Sequence, residues 1–260
     1  MFRSLNVAAT GMAAQETQLD TIANNLANAN TTGYKAQRVE FEDMLYQNVR
    51  SAGPNAAGNV SPTATQVGTG VRVAATARQF SQGTLQQTGN QLDLAIEGQG
   101  FFPVTQASGD VAYTRAGSLK LDAQGRLATS DGLLLEPPIT IPATATSITI
   151  ASDGTVSVLQ QGSTAATSAG QIQLASFPNP DGLTSVGHNL FTPTSASGEA
   201  KTGAPATNGL GTILQGSVEA SNVDVVEEMV SMIRAQRSYE IDSKVISAAD
   251  EMLRNATQNQ

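Results

Sequence analysis

Apolar residues recur at two different periods along this chain, and the change of period divides it. From Ser4 to about Asn28, Leu5, Met12, Leu19 and Leu26 fall on every seventh position, and Ala8, Gln15, Ile22 and Ala29 follow three residues after each. That is a heptad seam with one polar intruder, Gln15, and it predicts an amphipathic helix. At the other end Val225, Met232, Tyr239, Ile246 and Leu253 repeat the same spacing. Val226, Ile233, Val245 and Met252 widen that stripe, and Asp224 with Glu227 supplies an acidic start of the capping type. About thirty residues at this period make a helix on the order of 45 Å long.

Between the ends the period falls to two. Leu92, Leu94 and Ile96 alternate with other residues, as do Ile139 and Ile141, Ile148 and Ile150, and Val156 and Val158. Such alternation predicts half-buried strands. Ser108-Gly109-Asp110, Asp131-Gly132, Ser152-Asp153-Gly154 and Pro180-Asp181-Gly182 supply turns between them. The stretch between Arg50 and Gly70 has no period and reads, taken alone, as a flexible loop or linker. The expected fold is α+β: long terminal helices paired as a coiled-coil-like core, with a central all-β domain. Residues 1–40 with 219–260 form the helical part, 41–75 an extended connection, and 76–218 an outer β-domain.

The N-terminal helix is weak by propensity, because Asn24, Asn25, Asn28 and Asn30 crowd its last turns. It needs a partner, and the C-terminal helix offers a matching seam. Four large apolar side chains buried at roughly 1.5–3 kcal/mol each would offset the poor propensity. Two helices still leave their outer faces open, and the doubled stripe after Val225 predicts further neighbours. Periodicity alone leaves two readings: a monomeric helical hairpin packed on a β-domain, or a self-assembling subunit.

Composition narrows the classes. The net charge is −8 and the basic residues are scattered singly, which argues against a nucleic-acid partner. Aromatics make up 4% and Trp is absent, which does not suit a deep aromatic-lined pocket. There is no Cys, so disulfides, thiolate metal sites and Cys nucleophiles are excluded together. Met1-Phe2-Arg3-Ser4-Leu5-Asn6 has neither the hydrophobic stretch nor the cleavage site of a secretory leader.

Candidate chemistry is thin, and no catalytic, cofactor or metal site is expected. His188, the only histidine, stands in Gly187-His188-Asn189 and reads as a turn residue. Gly98-Gln99-Gly100 lacks the third glycine of a dinucleotide fingerprint and reads as a bend feeding Phe101 and Phe102 into the β-core. Asp93 and Glu97 share a strand face but read as a solvated edge rather than a glycosidase pair.

Five blocks of residues carry a resemblance. Ala23-Asn24-Asn25-Leu26-Ala27-Asn28, with Thr31, Thr32, Gly33, Tyr34 and Lys35, resembles the signature of the flagellar basal-body rod and hook family. Leu92 to Phe102 and Tyr113-Thr114-Arg115-Ala116-Gly117 are similar to that family, as are Glu219 to Asp224 and Arg234 to Glu240. The length, with Phe41 to Gln47 and Gly68-Thr69-Gly70-Val71, is most similar to its distal-rod members; hook and proximal rod subunits are the nearest alternatives. The resemblance implies a non-enzymatic subunit of a hollow helical drive shaft that passes motor torque to the hook. Its inner tube would be terminal helices, its seam Leu5, Met12, Leu19, Ile22, Leu26, Val225, Met232, Tyr239, Ile246 and Leu253. It further implies other copies, proximal rod subunits, hook or hook-junction proteins, peptidoglycan and outer-membrane ring proteins and the flagellar type III export apparatus as partners, within the basal body across the periplasm. The different-class alternative is a secreted β-rich carbohydrate-binding or hydrolytic protein, which would act as a monomer.

Overall fold

A computed structural model describes residues 2–50, 52–54, 60–61, 63–106, 108–162 and 165–258. The chain divides into two compact units. The first gathers residues up to Ala27, Gln37–Arg78 and the chain from Asp224 onward. The second holds Asn28–Ala36 and Gln79–Val223. The boundaries differ from those expected, because the turn after the first helix and the approach to the last both belong to the β-unit.

The first unit contains the two long helices, α1 (Phe2–Ala27) and α2 (Val225–Gln258). Asp224 caps α2: its Oδ1 accepts from the backbone N–H of Val226 and of Glu227, two donors with no partner inside the helix. Strand Gln37–Asp43 pairs antiparallel with Val71–Arg78, with a register shift at Glu40/Phe41. A ribbon follows in the stretch without period. Gln47–Arg50 pairs with Thr65–Val67, and Gly53–Pro54 with Val60–Ser61. What reads as a linker by composition is thus a β-ladder in its described part, with every side chain of Gln47–Arg50 exposed. Residues 51, 55–59 and 62 lie outside the described residues.

Among the described residues, the regular structure of the second unit is β apart from one short 3-10 turn at Pro180–Gly182. Its largest sheet has seven antiparallel strands, in the order Leu119–Leu121, Leu127–Thr129, Leu134–Leu135, Phe102–Thr105, Val111–Thr114, Leu190–Thr192 and Thr184–Gly187. A three-stranded sheet (Ala145–Ile150, Thr155–Gln160, Thr167–Gln171) and three two-stranded ladders complete it. Alternation places Ile139, Ile141, Ile150, Val156 and Val158 in one apolar core with Leu94, Ile96 and Phe102. A second cluster gathers Phe101, Tyr113, Phe177 and Phe191, whose rings meet edge to face as their quadrupoles favour. The sparse aromatics are therefore concentrated rather than spread.

Two glycines show how tightly this unit is closed. A Cβ on Gly117 would stand 1.6 Å from the carbonyl oxygen of Leu94, whereas one on Gly132 would meet nothing within 4 Å. Gly132 has φ +82, so its need is for a left-handed turn only. Gly117→Ala should cost about 3 kcal/mol by overpacking, and Gly132→Ala about 1 kcal/mol. Urea unfolding of the two variants would check the ranking.

Candidate functional site

The helices of the first unit run antiparallel. Asn25 Nδ2 donates to Glu228 Oε1 at 2.8 Å. Two heptads earlier on α1, a Cβ on Gly11 would lie 3.0 Å from Asp242 Oδ2, and Asp242 stands two heptads after Glu228 on α2. The buried residues of the helices are mostly small: Ala8 and Ala14 on α1, Ala235 and Ala249 on α2, with Ile22 the one large apolar exception. Small residues let two backbones approach closely, but they bury little surface.

The large apolar residues of α2 mostly lie elsewhere. Val226, Met229, Val230, Ile233, Ile241, Val245 and Met252 are all exposed, Val226 at 71% and Ile241 at 60%. Among the seam positions, Val225 and Tyr239 are exposed, while Met232 and Ile246 are half-buried. On α1, Ile22 is buried and Leu5, Met12, Leu19 and Leu26 are half-buried. The side chain of Leu253 lies outside the described residues. Exposed apolar residues also cluster before the ribbon, at Phe41, Met44, Leu45 and Tyr46, and within it at Val49, with Leu45 90% exposed.

The block around Asn25 acts as a bracket. Asn25 is 1% exposed. Its Oδ1 accepts from Gln37 N–H at 2.9 Å and its Nδ2 donates to Gln37 C=O at 2.8 Å, beside the bond to Glu228. One amide thus ties α1 to α2 and to the first strand. Propensity marks this residue only as a poor helix former; its donor and acceptor in fixed opposition are what the position requires. Ala23, Asn24 and Ala27 are exposed and Asn28 half-buried.

A second node lies inside the β-unit. Lys35 and Glu219 are fully buried, and Lys35 Nζ donates to Glu219 Oε1 at 2.6 Å and to Ser81 C=O at 2.7 Å. Arg115 donates through Nη1 to Glu219 Oε2 at 3.2 Å and through Nη2 to Gly98 C=O at 2.8 Å. Its guanidinium also stands 5.4 Å from the centre of the Phe101 ring. Burial lowers the Lys35 ammonium below its ordinary range, opposed by the Glu219 hydrogen bond and charge; burial likewise lowers Arg115. Arg115 Nε has no hydrogen-bond partner among the described residues. Tyr34 is buried beside this node and Gly33, at φ +71, leaves no room for a Cβ: one would sit 2.6 Å from Ala116 N. Gly33 N–H donates to Glu219 C=O.

Asn222 draws three segments of this unit together. Its Oδ1 accepts from Ala36 N–H, and its Nδ2 donates to Gln79 C=O and Ser81 C=O. Gln79 N–H in turn donates to Ala36 C=O. Ala36, Gln79 and Asn222 each stand at or next to a point where the chain passes between the units. The resemblance quotes Lys35, Arg115, Glu219 and Asn222 without assigning them roles. Isolated charges in otherwise light β-sequence are the only local signal that could have found them.

Of the residues weighed for chemistry, His188, Asp93 and Glu97 belong to neither node, whereas Gly98 lends its carbonyl to Arg115. His188 and Asn189, at φ 53 and 57, form a two-residue hairpin turn between Gly187 and Leu190, with the geometry that matches strand twist. Asp93 is not on a solvated edge. It is 9% exposed and accepts from Thr88 Oγ1 and Asn90 Nδ2, so it closes a turn, while Glu97 is exposed. Gly98 and Gly100 adopt positive φ and deliver Phe101 and Phe102 to two different apolar clusters.

Asn25→Ala would leave the Gln37 amide unmatched and should cost about 2–3 kcal/mol, read as lost amide protection in α1 and Gln37–Asp43. Glu228 gives a second, pH-dependent test. Burial raises its carboxyl above the ordinary range; the Asn25 bond opposes this and the charge of Glu227 adds to it. A raised folded pKa means stability that is complete below the unfolded value and is lost as pH rises through the folded one. Glu228→Gln, which keeps the acceptor, should match the parent in acid and exceed it at neutral pH in thermal unfolding.

Comparison with known proteins agrees with this architecture. Residues 5–35 match the family described as flagella basal body rod protein, 95–158 the flagellar hook protein FlgE/F/G D1 domain, and 214–259 the flagellar basal body rod FlgEFG protein C-terminal. The chain is 49% identical to the flagellar basal-body rod protein FlgG of Caulobacter vibrioides, covering 98% of each. It is 48% identical to that of Borreliella burgdorferi over 97% of each chain. The protein of the same description from Buchnera aphidicola is 46% identical over 99% of this chain and 100% of its own. With relatives of this description matched over 97% or more of its length, the chain belongs to the flagellar basal-body rod protein family.

Proposed function

We propose that this chain is a structural, non-enzymatic subunit of the distal rod, polymerising into a hollow helical shaft that carries motor torque to the hook. One observation supports this beyond the family itself: α2 leaves most of its large apolar residues exposed while its buried contacts are small. A face of that size on one helix has no place in a finished monomer. In the polymer, neighbouring copies cover it, and the helices pair and pack in coiled-coil fashion as an inner tube. The seam of Leu5, Met12, Leu19, Ile22, Leu26, Val225, Met232, Tyr239, Ile246 and Leu253 belongs to that tube. The β-unit forms the outer layer and meets ring proteins. Proximal rod subunits and hook or hook-junction proteins flank the polymer, and the type III apparatus exports its subunits. Contacts of this kind are heterologous and do not close on themselves, so they extend as a helix.

Ile241→Asp tests the face directly, since Ile241 is exposed and its change leaves the subunit's own packing intact. An exposed carboxylate costs the monomer little, whereas burial of an unpaired one in every copy costs several kcal/mol. The expected result is a folded subunit, by circular dichroism, that forms no rods; normal rods would remove this face from the assembly.

Residues 48–66 supply the stiffness that separates a shaft from a bendable hook. Their ribbon bridges neighbouring copies and stops them sliding. Gln47 and Val67 are register partners, so a two-residue Asn-Gly turn in place of 48–66 can join them. Rods lacking 48–66 should still assemble but appear curved in electron micrographs. Straight polymers of unchanged stiffness would return the ribbon to a passive role.

A further inference from the structure

Both apolar clusters of the β-unit draw all their members from between Phe80 and Ile213. The segment that follows buries one large apolar side chain, Val218, which joins neither cluster. The buried charges depend on that segment. Lys35 and Arg115 are separated from Glu219 by 184 and 104 residues, yet both pair with its carboxylate. Were the core to close before Glu219 arrived, two cations would be enclosed with Ser81 C=O and Gly98 C=O as neutral acceptors but without their counter-ion. An enclosed ion without its partner costs several kcal/mol. Even with Glu219 in place the cluster holds one more cation than carboxylate, and Arg115 Nε has no hydrogen-bond partner among the described residues.

The segment around Glu219 also completes the backbone nearby. Ser217–Glu219 pairs with Leu85–Gln87, Glu219 Oε1 accepts from Gly83 N–H at 2.9 Å, and Ala220 N–H donates to Thr84 C=O. Asn222 then fastens Ala36, Gln79 and Ser81. We infer that Glu219 is a folding latch: the β-unit cannot close until residues 217–222 dock and supply the carboxylate. A chain appearing amino end first therefore keeps this unit open until nearly all of it has emerged.

Refolding of the full chain with pulsed hydrogen exchange tests the order of events. The amides of Leu94 and Ile213 report core closure, and those of Gly83 and Ala220 report docking of the segment. In the parent protein all four should gain protection in one phase. Glu219→Gln should lower the native-state protection of the Leu94 and Ile213 amides at least a hundredfold. Replacing the cluster by apolar residues, Lys35→Met with Arg115→Leu and Glu219→Leu, should restore that protection. It should also let the core close at least tenfold faster than Ala220 docks. Core amides protected ahead of Ala220 in the parent would overturn the inference, as would Glu219→Gln within threefold of the parent. Should the triple replacement not fold, the parent's own order decides.

Discussion

Two cations and one carboxylate share a site in the β-unit from which water is excluded, and much of that unit is arranged to make this tolerable. Charges this deep survive only where each finds an opposite charge and enough hydrogen bonds. Glu219 supplies the charge; carbonyls at Ser81 and Gly98 and the N–H of Gly83 supply the rest. Meeting those demands fixes five stretches of chain against one another: 33–36, 79–83, 98–101, 115–117 and 217–222. The geometry between them admits only glycine at Gly33 and Gly117. Phe101 lies beneath the guanidinium and opens the aromatic cluster, so the polar node and an apolar core meet at one ring.

The helical unit follows the opposite economy. The buried residues of its helices are mostly alanine, and the Asn25 amide ties α1 to the strand beside it. Such contacts orient well and stabilise little, because small side chains remove little apolar surface from water. Most of the surface that could stabilise α2 is turned away from its own chain. In the polymer proposed above, that surface is where assembly would add the stability the lone subunit lacks.

The α+β division and both helices were legible in the sequence because heptad and alternating periods are long and their change is abrupt. The acidic cap at Asp224 and the turn glycines were legible for the same reason: backbone chemistry dictates them locally. Which helix face looks inward was not. The seam of Val225, Met232, Tyr239, Ile246 and Leu253 scores as the interior by size, yet Val225 and Tyr239 are exposed while Ala235 and Ala249 are buried. Periodicity reports where apolar residues lie and is silent about which neighbour covers them. The ribbon of 47–67 was hidden because its pairing is made by backbone groups, and its Gly, Pro, Ser and Asn carry no alternation. The nodes at Asn25 and Glu219 were hidden because their partners are far apart in the chain, and no local pattern can announce a bond across 184 residues.

The open apolar face of α2 also fixes how any contact made through it responds to temperature. Removing such surface from water is driven by entropy near 25 °C and carries a negative heat-capacity change. The attraction therefore weakens on cooling, while hydrogen-bonded brackets such as Asn25 do not depend on that solvent term. Copies joined by this face, as proposed above, would hold together less firmly in the cold than in the warm. For a shaft built from identical parts in that way, cooling would loosen every joint together.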